Sequence, residues 1–155
     1  MRRRIVVAIA LALVGLVSST PGHAQGFSQV GFNVNTAAVA LVTTTEGVVV
    51  SSGPVTCPRQ TCDIVVIAFA QLTTGADTTA VVPRIRRGTA ITGTLISEEA
   101  EENVKAAAGS IEPFTSMAME QRSNVATVEY SFTLDQVGAT ANGSNLYATI
   151  LVLVR

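Results

Sequence analysis

The sequence predicts an all-β fold: an antiparallel β-sandwich of jelly-roll type, with about eight short strands and little helix. Three observations carry that expectation. Asn124 to Asp135 alternates, with Ala126, Val128, Tyr130, Phe132 and Leu134 on one face and Thr127, Glu129, Ser131, Thr133 and Asp135 on the other. That period of two belongs to a strand with one face in a core and one in water. From about Gln29 onward, further short runs are separated by Gly, Thr and Asn turns, the rhythm of a sandwich. Finally, Ile64 to Ala70 and Leu146 to Val154 are apolar on both faces.

Residues 1–24 come first. Arg2-Arg3-Arg4 precede an apolar run from Ile5 to Val17, and small residues, Gly22 and Ala24, stand before Gln25. This is the pattern of a secretory signal peptide cut before Gln25. The apolar run is short for a membrane span, so a permanent anchor is the weaker reading. Residues 25–36 follow as an N-terminal arm or edge strand, in which Phe27, Phe32 and Val34 supply the apolar side chains. A free arm of this kind can add a strand to a neighbouring subunit. The sandwich is expected over residues 37–155 as one domain. Its strands are expected at Ala37–Thr43, Glu46–Val50, Ile64–Ala70, Thr79–Arg87, Ala90–Ile96, Val104–Ala108, Phe114–Gln121, Asn124–Asp135 and Leu146–Val154. Pro83 belongs at an edge or bulge, because proline cannot donate to a ladder. Glu98 to Ala108 competes as a helix, with Ser97 as cap, Glu101 near Lys105, and Gly109 as stop; loop plus strand is preferred. Gly138 to Ser144, with Asn142-Gly143, marks a tight reversal.

Cys57 and Cys62 are the two cysteines. In an oxidising compartment their spacing predicts a disulfide closing a short loop. A redox pair favours the narrower Cys-x-x-Cys spacing, and a zinc site needs further Cys or His ligands. After cleavage the chain keeps 7 basic residues (10 less Arg2, Arg3 and Arg4) against 11 acidic ones, a net charge of 7 − 11 = −4. That sign argues against nucleic acid or an anionic membrane as partner.

The one histidine, His23, leaves with the signal, so nucleophile–histidine catalysis is excluded within one mature chain. Glu98, Glu99, Glu101 and Glu102 form a solvated acidic run rather than two carboxylates facing each other across a sugar. The same run lacks the spacing of a known calcium loop. We therefore expect no enzyme, no metal and no cofactor. Arg84, Arg86 and Arg87 form either an anion site or ion pairs with acidic side chains. Pairing is preferred in so acidic a chain, with Arg84 and Arg86 on one strand face and Ile85 and Arg87 on the other.

The charged fraction, 14%, is low against the quarter or so usual in soluble domains. An antiparallel sheet normally shows water one polar face, so the two doubly apolar runs require a second cover, and another copy of the chain is the simplest one. Ile64, Val66, Phe69, Tyr147, Leu151 and Leu153 are the side chains expected to carry that self-assembly. Ala70-Gln71-Leu72-Thr73-Thr74-Gly75, Arg84-Ile85-Arg86-Arg87-Gly88-Thr89, Gly93-Thr94-Leu95 and Gly138-Ala139-Thr140-Ala141-Asn142-Gly143 resemble segments of uncharacterised bacterial and phage-associated jelly-roll domains of the tumour-necrosis-factor and C1q type. The resemblance spans roughly Ala37 to Arg155 and rests on strand and turn patterns, with no catalytic signature. It implies a compact trimer used as a surface, fibre or virion component. The expected function is thus that of an exported structural protein, a homo-oligomeric trimer or an extracellular fibre subunit. It would be secreted or held at the cell surface, or periplasmic in a Gram-negative host, with no membrane contact after signal cleavage. The alternative is a ligand- or carbohydrate-binding module of adhesin type, with a glycan as partner. A carboxylate-based hydrolase ranks last.

Overall fold

A computed structural model describes residues 26–42, 45–57, 59–99, 101–104, 109–123 and 127–155. The expected signal segment, residues 1–24, lies outside them. The chain opens with β1 (Ser28–Asn35), β2 (Val39–Leu41), β3 (Gly47–Ser51), β4 (Val55–Thr56), β5 (Thr61–Thr73) and β6 (Ala80–Arg87). Then come β7 (Thr94–Glu98), β8 (Glu102–Asn103), β9 (Ile111–Ser123), β10 (Thr127–Val128), β11 (Tyr130–Val137) and β12 (Gly143–Val154). The described residues form twelve strands rather than about eight. The surplus is β2, β4, β8 and β10, each of two or three residues, too short to leave an alternation in the sequence.

The first sheet has the order β1-β12-β5-β9, with β2 also on β12; the second has β3-β11-β6-β7, with β8 also on β6. Every pairing is antiparallel. Numbering only the eight strands of five residues or more, the orders are 1-8-3-6 and 2-7-4-5. Those are the two interlocked Greek keys of a jelly roll. β4 and β10 form a separate two-stranded ribbon.

The inner faces meet in one core. β5 contributes Ile64, Val66, Ala68, Ala70 and Leu72; β12 contributes Ala148, Ile150, Val152 and Val154; and β11 answers with Tyr130, Phe132 and Leu134. The alternation from Val128 to Leu134 therefore folds as expected, although residues 124–126 lie outside the described chain. Its polar face differs from expectation, because Ser131 and Thr133 are buried as well.

Three local expectations need correction. Pro83 sits in β6, which has partners on both sides, rather than at an edge or bulge. The carbonyl of Pro83 accepts the Glu99 N–H, so its nitrogen faces the gap where β7 has ended and β8 has not begun. Opposite Glu99, just past the end of β7, proline leaves out one donor. In the stretch expected as a strand from Ala90, the chain turns over residues 90–93 and β7 starts at Thr94. Within the Glu98–Ala108 stretch, the described residues form loop and strand, while residues 100 and 105–108 lie outside them.

The chain bends between β11 and β12 within the expected stretch, but not at Asn142-Gly143. Gly138 carries the left-handed φ of 69° that glycine adopts without penalty, and Gly143 already begins β12. At Gly143 a Cβ would lie 2.6 Å from Gln136 Oε1 and 2.7 Å from the Thr73 carbonyl. The end of β12 thus packs where a side chain has no room. Cys57 and Cys62 are disulfide-bonded.

Candidate self-association face

β5 and β12 are neighbours in the middle of the first sheet, with β9 and β1 outside them. Strand period sorts their side chains. Ile64 and Val66 point into the core, each 1% exposed, so Val65, Ile67 and Phe69 turn outward. On β12, Leu151 and Leu153 point out between the core residues Ile150, Val152 and Val154. The register shifts between Asn145 and Tyr147; Leu146 is the extra residue, and it and Tyr147 both stand on the outer side.

The register then assembles these side chains into rows. Phe32, Leu151, Ile67 and Met117 lie in line across all four strands. Beside them, Leu153, Val65 and Met119 form a second row. Phe69 and Tyr147 pack together with ring centroids 6.2 Å apart. Phe32 is 55% exposed, Met117 56% and Met119 67%, while Ile67, Phe69, Tyr147, Leu151 and Leu153 are half-buried. At about 4.8 Å per strand a four-residue row is about 14 Å wide.

Polar groups rim this apolar centre. Arg155 Nη2 donates to Asp63 Oδ2 at 2.8 Å, and Gln121 Nε2 donates to Asp63 Oδ1 at 3.0 Å. The Arg155 hydrogen bond, then that of Gln121, holds the Asp63 carboxyl below its ordinary range. Arg155 also lies over the Phe27 ring, 5.2 Å from its centroid.

Of the six residues expected to carry assembly, Phe69, Tyr147, Leu151 and Leu153 lie on this face. Ile64 and Val66 do not; they are core residues, and Val65 and Ile67 take their places. Sequence reasoning also missed Met117 and Met119 of β9. Their signal was present: apolar side chains at i and i+2 in a strand whose other face carries Ser116 and Glu120. Phe32 belongs to the segment expected as an arm or edge strand, and β1 packs as an edge strand along β12.

The outer face of the second sheet has the opposite chemistry. Arg86 Nε and Nη2 donate to Glu46 Oε1 and Oε2, both at 2.6 Å, a bidentate pair. Arg84 Nη1 donates to Glu46 at 3.2 Å and to Asp135 at 3.0 Å, and Arg84 Nε donates to Glu98 at 2.6 Å. The Thr133 hydroxyl donates to the same Glu46 carboxylate. Burial alone raises the Glu46 pKa, but the hydrogen bonds from Arg86 and Thr133 and the charges of both arginines outweigh it, and the carboxyl lies below its ordinary 4.5. Arg87 reaches the other way, to Glu120 at 3.2 Å, and the buried Tyr130 hydroxyl donates to Glu120 as well. Burial first, then that hydrogen bond, raises the Tyr130 pKa. Arg84, Arg86 and Arg87 are thus all ion-paired within the chain.

Comparison with known proteins adds little. The chain matches no protein-family pattern and no curated protein. Among solved structures, one similar chain comes from work described as "Bacillus endospore appendages form a novel family of disulfide-linked pili". It is 15% identical, covers 87% of this chain and 96% of its own, and superposes with a TM-score of 0.37.

Proposed function

We propose that this chain is an exported structural subunit that associates with copies of itself through the outer face of the first sheet, as a trimer or as a subunit of an extracellular fibre. One observation supports this above the rest: the unbroken apolar row Phe32–Leu151–Ile67–Met117, with Leu153, Val65 and Met119 beside it. Contiguous apolar surface of this kind marks an interaction site, and the apolar centre with a polar rim is the anatomy of a protein interface. A second copy fits the rim. Asp63 and Arg155 stand side by side on it, so a self-complementary contact can set the arginine of one copy against the aspartate of the other. Catalysis forms no part of the proposal. Four acidic side chains of the sandwich, Glu46, Glu98, Glu120 and Asp135, are bound to arginines. The basic n-region and apolar run of residues 1–24 support export.

Sedimentation equilibrium on the chain starting at Gln25 tests this. The unaltered protein is expected to exceed monomer mass, and the Ile67→Lys, Leu151→Lys double variant to sediment as a folded monomer with an unchanged circular dichroism spectrum. An unaltered chain that stays monomeric across the accessible concentration range overturns it.

A further inference from the structure

We infer that Glu99 guards the free edge of β9 and, together with Pro113, bars a second copy from adding its own β9 to the first sheet. A strand with one unpaired edge is a template for another strand. Among the described residues β9 is paired only with β5, over thirteen residues and without a register shift. It is therefore a long, straight edge beside the apolar face. A β9–β9 pairing about a two-fold axis would bring Met117 and Met119 of both copies onto one continuous outer surface, and that continuity singles out a second copy as the occupant.

Two side chains stand in the way. Glu99 Oε1 accepts a hydrogen bond from Ser116 Oγ at 3.0 Å and lies 3.5 Å from the Met117 nitrogen. The Met117 N–H therefore points away from β5, and by strand period those of Thr115, Met119 and Gln121 do too. Pro113 occupies the same set of positions, so the edge lacks a donor there. Glu99 follows β7, the edge strand of the second sheet, and so fastens the edges of the two sheets together. The opposite seam is fastened in the same manner: Asn33 Nδ2 donates to the Ser51 carbonyl at 2.7 Å and Asn35 Nδ2 to that of Val49 at 3.0 Å. With both seams closed, association is directed to the face. This inference rests on the self-association reading only for the identity of the partner.

The test uses the Leu151→Lys chain, whose face is disrupted, so that edge pairing is read alone. Adding Glu99→Ala and Pro113→Thr is expected to raise the weight-average mass about twofold or more, while adding Glu101→Ala leaves it monomeric. An edge-altered chain that folds and stays monomeric overturns the inference. A second measurement needs no edge variant. Amide exchange in the Leu151→Lys chain is expected to be about tenfold slower at Met117 than at Met119, and equal rates overturn the guard. A monomeric unaltered protein would sink the face reading and leave both of these results to be read.

Discussion

The two outer faces of one sandwich solve the same problem in opposite ways. On the second sheet, Ser131 and Thr133 are fully buried beneath side chains from the same molecule, and Glu46, Arg84 and Arg86 satisfy one another there. On the first sheet, Ile67, Leu151, Phe32 and Met117 have apolar neighbours, and among the described residues Phe32 and Met117 stay more than half exposed. A polar surface can be completed by pairing within the chain, whereas an apolar one can be completed only by another surface. The difference teaches that the outward side chains, not the strand order, decide which face of a jelly roll is available for assembly.

The sharpest way to break this comparison lies within a single strand. Ile64 and Ile67 are both isoleucines of β5, one in the core and one on the face. Ile64→Ala is expected to lower the unfolding free energy by about 2–5 kcal/mol, because a cavity adds to the lost transfer energy. Ile67→Ala is expected to cost the isolated subunit less than about 1 kcal/mol and to weaken association instead. Urea unfolding of dilute protein, set beside sedimentation of concentrated protein, separates the two. Equal losses of stability would erase the distinction between the faces.

The corresponding break on the second sheet is Glu46→Ala. It removes the shared acceptor of Arg86, Arg84 and Thr133. Leaving partly buried charged donors unmatched is expected to cost about 1–3 kcal/mol, read from the urea midpoint, with the association constant unchanged. Loss of association here would place the interface on the wrong sheet.

The pair Ile64 and Ile67 also shows how far the sequence could be read. Two runs apolar on both sides were legible as strands needing two covers, and they proved to be β5 and β12, partners in one sheet. Which side of each run faces inward was not legible. Inside and outside are told apart by polarity, and a run of Ile, Val and Ala offers no contrast to set its register. On β11 the contrast existed and the inner face was correctly legible. The burial of Ser131 and Thr133 was not, since it depends on arginines from β6 and a glutamate before β3, far apart in sequence. The rows on the candidate face depend likewise on pairings between strands more than 80 residues apart, such as Leu151 with Ile67, and single-strand patterns carry no trace of them.

Reduction of Cys57–Cys62 gives a smaller effect that leaves the comparison intact. The bridge closes a loop of sequence separation 5, and loop entropy gives it about 2 kcal/mol. The midpoint of urea unfolding is expected to fall in reductant, with the subunit mass at equilibrium unaltered.

The finest probe is pH, because the second sheet's face rests on a partly buried carboxylate held below its ordinary pKa by its partners, whereas Asp63 on the rim of the first is paired in the open. Glu46 lies below its ordinary 4.5 in the folded chain. Its contribution is therefore complete above about pH 4.5 and is lost as pH falls through the lower, folded value. Glu102 acts with the opposite sign. Burial, then the charge of Glu99, raises its pKa, so its contribution is complete below 4.5 and lost as pH rises through the raised folded value. The two windows meet near pH 4.5, so the unaltered chain alone cannot assign the acid limb. Glu46→Gln keeps the hydrogen-bonding shape and removes the charge. Subtracting its stability curve from that of the unaltered chain cancels Glu102 and leaves the Glu46 term. That difference is expected to shrink toward zero as pH drops below 4.5. A difference that stays constant into acid would mean that the charge of Glu46 does no work on the second sheet, and that its packing alone holds the arginines in place.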